Sequence, residues 1–376
     1  VTARRELDAL ARRAAATPGL IPLAGGLPAD RQFPRAALAA SFLRVLDARD
    51  GAALQYGWPE GQGGLRARIA ARLGARVGAA VSADDVIVTN GAQQAIAIAA
   101  ASLARPGDAI GVEPASYPAA LELFRVRGLR LVPLGEARVS YVMSTLGNPT
   151  GRALDAPGRR AAARGRWIID DDAYGELAFE GRTAPLWQGR RGRVVHVGTF
   201  SKTLCPGLRV GWLVVPEALR ARALRLKHGD DLQANSLAQA VVDDTLAHID
   251  FDARLAVLRR YYRSRAARLA RAIRRALPAW SFAFPEGGFS LWLEADGRVD
   301  DARLLRAAVD EGVSFDPGST FEGLRDQGPT RLRVCYSAAA PESFDDAAAR
   351  LARAWRRVHG AARPFRARRA APHLSS

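Results

Sequence analysis

Short runs of almost wholly apolar residues alternate with longer segments of helical period through the middle of the chain. Residues 85–89 are followed by a helical 93–103, 109–112 by 118–127, and 130–133 leads on to 139–144, 167–169, 194–199 and 211–215. Strands that are apolar on both faces and separated by helices predict an α/β fold with a mostly parallel sheet flanked by helices. Residues 237–277 read as one long helical stretch linking that sheet to a C-terminal region. There 289–293 and 331–336 have strand patterns, and 302–311 and 343–358 have helical ones, which together predict a smaller α+β domain. The division expected is 41–255 for the large, ligand-binding domain and 1–40 plus 256–360 for the small one. No internal repeat is visible.

Composition narrows the class. With 376 residues, 48% of them hydrophobic, the chain can bury a substantial core and is not disordered throughout. Arginines or prolines interrupt every apolar stretch well short of the roughly 20 residues a bilayer span needs. Residues 1–20 are basic and helical in pattern (Leu7, Leu10, Ala14) but lack the apolar stretch of a signal peptide, so a cytoplasmic location is expected. Cys205 and Cys335 have no cysteine or histidine at zinc-site spacing; free thiols and no metal site are expected. The net charge of +17 is carried by arginines scattered along helical segments such as 219–227 and 255–277, a pattern that fits a solvated surface better than a nucleic-acid groove. Residues 356–376 are rich in Arg, Ala and Pro without periodicity, and 361–376 are expected to form a disordered basic tail.

Lys202 and Lys227 are the only lysines in a chain with 55 basic residues. Arginine supplies charge and hydrogen bonds at least as well as lysine, but its guanidinium cannot act as the amine that condenses with an aldehyde. Lys227, on a basic helix, reads as a chance survivor on the surface; Lys202 does not. It lies in GTFSKTLCPGLRVGW (198–212), in a loop where a strand ends and ligands of open α/β sheets bind. Ser201-Lys202-Thr203 imitates the end of a P-loop, but Ser201 and His196 occupy its two glycine positions. Thr199, Ser201 and Arg209 are suited to a phosphate dianion beside the lysine.

Asp170-Asp171-Asp172 and Tyr174 follow another strand. Alone, three carboxylates fit a magnesium ion or a helix cap. Next to an imine-forming lysine they suit pyridoxal 5′-phosphate (PLP), whose pyridine nitrogen needs a carboxylate to stay protonated, with the tyrosine on the 3′-oxygen. Asn148, in GNPTG (147–151), is a second donor to that oxygen or part of a simple turn. The turn 89–94 joins a strand to a helix, so its N–H groups can bind phosphate, with Gln93 adding a side-chain contact. Tyr117 is either a ring that stacks on a pyridine or a core residue.

These motifs, in this order and over nearly the whole chain, resemble the class I/II aminotransferase family, PLP enzymes of fold type I. The wording, with PEGGFSLWL (285–293), is most similar to the branch containing 2-aminoadipate and kynurenine aminotransferases and the MocR-type regulators. By this resemblance Lys202 carries the imine and shuttles the proton, Asp171 pairs with the pyridine nitrogen, Tyr174 and Asn148 bind the 3′-oxygen, and Tyr117 stacks on the ring. Ala92 (through its N–H), Gln93, Thr199, Ser201 and Arg209 would hold the phosphate, and Tyr56 would reach the neighbouring subunit's phosphate, which implies a homodimer. Arg333 would clamp the substrate's α-carboxylate, and the loop 24–28, including Gly26, with Arg31 beyond it, would close over the substrate. Two departures stand out: 133–139 and 152–167 are short for the family, and position 92 is alanine where many relatives have serine.

The function implied is transfer of an amino group between an L-amino acid and a 2-oxo acid, through pyridoxamine phosphate. Lyase, decarboxylase, cyclase and oxidase chemistry share the scaffold. A PLP-sensing regulator of the MocR type is the more distant alternative, since the aminotransferase-like pattern starts within about the first 20 residues and leaves no room for a winged-helix reader.

Overall fold

The strands form where branched and aromatic residues cluster between glycine and proline turns. A computed structural model describes residues 7–360 apart from 8, 11, 15, 49–50, 181–184, 190 and 325–327, so the tail 361–376 and residues 1–6 lie outside the described residues. In chain order the strands are β1 (Ile21–Pro22), β2 (Val86–Thr89), β3 (Ala109–Val112), β4 (Arg130–Pro133), β5 (Val139–Val142) and β6 (Trp167–Asp171). They continue with β7 (Val194–Thr199), β8 (Gly211–Val214), β9 (Ser290–Glu294), β10 (Val313–Ser314), β11 (Asp316–Pro317) and β12 (Arg331–Cys335).

Seven of them form one sheet in the order β2-β8-β7-β6-β5-β3-β4, in which only β8 runs antiparallel to its neighbours. β2, β5, β7 and β8 are buried at every position, as the all-apolar runs predict, whereas β4 is an exposed edge that ends in Pro133. The helix Ala92–Leu103 packs across β6, β7 and β8. A second sheet, β11-β12-β9, is antiparallel, and β1 pairs in parallel with β10. The helices Phe251–Ala276, Asp301–Asp310 and Phe344–His359 pack together around this C-terminal part. Among the described residues no helix is long and apolar enough to cross a membrane.

Three expectations need correction. The stretch 237–277 is two helices, Ser236–His248 and Phe251–Ala276, because Asp250 caps the second by accepting the Ala253 N–H at 2.9 Å while Ile249 is extended. The lack of periodicity after residue 355 does not begin at Arg356: the helix continues to His359, with Trp355 and Val358 buried. Lys227 is not a surface residue; its side chain is 0% exposed and paired with Asp231.

Candidate active site

β2, β3, β5, β6 and β7 run in one direction and end at one edge of the large sheet, where antiparallel β8 begins. The segments leaving that edge enclose a cavity of about 140 Å³ lined by Ala92, Gln93, Tyr117, Met143, Asn148, Asp171, Ala173, Tyr174, Thr199, Ser201, Lys202, Pro206 and Arg209. Ten of the residues expected at a cofactor thus come from five segments separated in sequence.

Lys202 lies just beyond β7, its Nζ 5.5 Å from the centre of the Tyr174 ring and 5.7 Å from that of Phe289. Burial, reinforced by the Arg333 cation, lowers its ammonium to about 8, so a useful fraction is a neutral amine near neutrality. Asp171 closes β6. Its Oδ2 accepts the Tyr141 hydroxyl at 2.7 Å, while Oδ1 is buried without a hydrogen-bond partner among the described residues. Burial lifts this carboxyl to about 7, against the pull of the Tyr141 hydrogen bond. Of the neighbouring carboxylates, Asp170 accepts the Ser144 N–H through Oδ1 and does not line this cavity, although its buried Oδ2 also has no hydrogen-bond partner among the described residues, and Asp172 binds Arg76 and Thr145.

The same cavity includes a cradle for an anion. Gly91 (φ +82°) turns the chain into the helix Ala92–Leu103, whose first N–H groups have no partner within the helix. A Cβ on Gly91 would overlap Nη2 of Arg209, and one on Gly211 would lie 2.6 Å from the Gly91 carbonyl carbon and 2.7 Å from the Ala92 nitrogen. Both glycines are therefore needed for the guanidinium, the strand and the helix start to meet. The Thr199 hydroxyl is 3.0 Å from that of Ser201 and takes the Ser201 N–H at 3.1 Å. Gln93 lines the cavity as well, with its Nε2 donating one N–H to the Ala119 carbonyl at 3.0 Å.

Arg333, on β12, is buried beside this cavity. Its Nε and Nη2 both donate to Oδ2 of Asp316, at 2.9 and 2.8 Å, and its Nη1 donates to Oδ1 of Asn148 at 2.7 Å. Each terminal nitrogen keeps one N–H, so a carboxylate can be met end-on by the Nη1/Nη2 fork. Gly26 is brought to the same place, since a Cβ there would be 3.3 Å from both terminal nitrogens. Because Asn148 accepts through its oxygen, its amide N–H groups are left to face other partners. Arg31 is not brought into the cavity; its guanidinium rests 5.8 Å from the centre of the Tyr261 ring. Tyr56 is 81% exposed and lines a separate groove with Gln55 and Trp58.

Sequence reasoning missed Tyr141, Asp316 and Gly211. A phenol in the fully buried strand β5, paired in register with Ile169 two positions before Asp171, was the available signal for Tyr141. Asp316 carries no comparable local signal.

Residues 18–351 match the family described as aminotransferase class I and II. The chain belongs to the class I and II aminotransferases. Among its family relatives, the 2-aminoadipate transaminase of Thermus thermophilus is 34% identical, with 93% of this chain and 92% of that one covered. Aromatic-amino-acid aminotransferase 1 of Thermococcus litoralis is 28% identical, over 89% and 88% of the two chains. The crystal structure of the Thermus thermophilus alpha-aminoadipate aminotransferase, complexed with N-(5′-phosphopyridoxyl)-L-leucine, superposes with a TM-score of 0.84 at 32% identity, over 93% of this chain and 95% of that one. This aminotransferase is therefore a PLP-dependent transaminase of fold type I. Its own cavity fits that cofactor, since it unites an orphaned carboxylate oxygen, an amine of lowered basicity and a glycine-lined anion cradle.

Proposed function

We propose that Lys202 is the catalytic base of this aminotransferase and the residue to which PLP attaches, with L-amino acids and 2-oxo acids as substrates. The observation that carries the reading is one cavity uniting the Lys202 amine, the unpartnered Asp171 oxygen and the Gly91/Arg209 cradle.

When bound, PLP supplies an electron sink that acidifies the Cα–H of an amino acid joined to it. Asp171 Oδ1 would accept the pyridine N–H, and the Tyr141 hydroxyl holds the other carboxylate oxygen in place. Tyr174 and the Asn148 amide would donate to the 3′-oxygen, Tyr117 would lie against the ring, and Thr199, Ser201, Arg209 and the N–H groups of Ala92 and Gln93 would bind phosphate. Arg333 orients the α-carboxylate, with Gly26 leaving room for it. Lys202, as a neutral amine, would take up the proton from the substrate Cα and hand it back during the exchange. Tyr56 would complete a neighbour's phosphate site in a cytoplasmic homodimer, a reading supported by the exposure of Tyr56 and Trp58. The separation of the seven-stranded sheet from the β1-β10 pair and the β11-β12-β9 sheet supports the division of the chain into residues 41–255 and residues 1–40 plus 256–360.

The test is Lys202→Ala, which should abolish turnover; Lys202→Arg should do the same despite keeping the charge. Substantial residual transamination by either variant, assayed by release of the 2-oxo acid, would refute the assignment.

A further inference from the structure

Of the two lysines in the chain, the proposed chemistry uses one. The other, Lys227, lies just before the last turn of the helix Glu217–Asp231, wholly out of solvent, with its Nζ donating to Oδ1 of Asp231 at 2.5 Å. The second carboxylate oxygen, Oδ2, accepts from Asn90 Nδ2 at 2.6 Å and from Gln94 Nε2 at 2.8 Å. Gln94 returns the contact by accepting the Asn90 backbone N–H at 2.8 Å, and Oδ1 of Asn90 takes the Asn235 N–H at 3.2 Å. Both polar atoms of the Asn90 side chain and its backbone N–H are thus committed to one network, and its carbonyl faces Nη2 of Arg209 at 3.5 Å. Asn90 directly precedes Gly91, where the anion cradle begins.

The network also accounts for a lysine here in a chain whose other basic side chains, Lys202 apart, are arginine. Asp231 already receives three donors, and a guanidinium would bring five N–H groups beside a mostly buried carboxylate where an ammonium brings three. The turn after this helix is tied to the segment around Tyr56 as well, since Oε1 of Gln233 accepts the Gly57 N–H.

We propose that Lys227 and Asp231 are positioning residues for the cofactor's phosphate, holding Asn90 so that the Gly91–Ala92 turn and Arg209 converge on it. The inference rests on reading the Gly91/Arg209 cradle as the phosphate site. It predicts a loss confined to ligands that carry a phosphate.

The full-length apoprotein is titrated with PLP and with pyridoxal, which lacks the phosphate, and binding is followed by absorbance. The variants are Lys227→Met and the pair Lys227→Met with Asp231→Leu, the second leaving no buried charge unpaired should the first fail to fold. Arg209→Gln tests the cradle itself. Misaligning one charge-assisted hydrogen bond should weaken PLP binding by about tenfold or more in each folded variant, with the pyridoxal constant kept within about twofold. PLP binding unchanged in the Lys227 and Asp231 variants but weakened by Arg209→Gln overturns the inference and leaves the phosphate site standing. No effect of Arg209→Gln overturns both. Equal losses for PLP and pyridoxal assign the network a purely structural role and overturn the inference.

Discussion

Replacing Gly91 by alanine separates two consequences of the cradle geometry. At φ +82°, ψ 169° the residue occupies backbone space that is essentially reserved for glycine, so alanine costs about 1–3 kcal/mol of folding free energy with or without cofactor. That part lowers the melting temperature by a few degrees and leaves affinity untouched. The second part is local to the anion. The new Cβ would overlap Nη2 of Arg209 and lie 3.0 Å from its Cζ, so the guanidinium has to swing aside. One charge-assisted hydrogen bond lost to a phosphate is worth about 1.5–3 kcal/mol, or about 10–150-fold in the dissociation constant of PLP. Absorbance titration of the apoprotein, with a thermal melt alongside, reads the two parts independently. A variant that melts lower but binds PLP as tightly as the natural chain would refute the placement of phosphate against Arg209.

Arg333→Lys removes the fork that Asp316 and Asn148 aim, and should lower kcat/KM for the amino acid by about 10–150-fold through the loss of one or more charge-assisted contacts; a change below about threefold in steady-state assays would contradict the carboxylate clamp. Tyr141→Phe takes the hydroxyl from Oδ2 of Asp171 and should weaken PLP binding at pH 8 by about tenfold, with unchanged affinity in titrations counting against a role for that carboxylate. The Lys202 ammonium, lowered by burial from 10.5 to about 8, sets a pH dependence. Because its folded-state value lies below its ordinary one, the apoprotein carries a penalty below pH 8 that fades as the pH rises toward 10.5. Uptake of PLP by the apoprotein should accordingly quicken with pH and level off above about 8, and a flat rate from pH 6 to 9 in stopped-flow absorbance would be inconsistent with it.

How much of the site was legible in the sequence depends on distance along the chain. Lys202, Thr199, Ser201 and Arg209 share one strand–loop–strand unit, so their convergence comes from local pattern alone. Asp171 and Tyr174 likewise sit at one strand end, and the all-apolar strands announced the buried sheet that brings the two units together. Side-chain direction was not legible. Arg31 turns to Tyr261, because packing with remote elements decides its rotamer. Lys227 was misread for a related reason: its helix has a basic face, but its last turn meets Asn90 and Gln94, more than 130 positions earlier. The break at Ile249 escaped notice because no glycine or proline marks it, only the aspartate that caps the helix Phe251–Ala276.

The central claim is that a PLP-dependent transamination runs through Lys202. Its most direct test mixes the PLP-loaded protein with single L-amino acids, without any acceptor, and identifies each product by mass spectrometry. The expected product is the matching 2-oxo acid, up to one equivalent per site, with the amino group recovered on the cofactor and no reaction in Lys202→Ala. Release of an amine with carbon dioxide, or of an elimination or cyclised product, would contradict it.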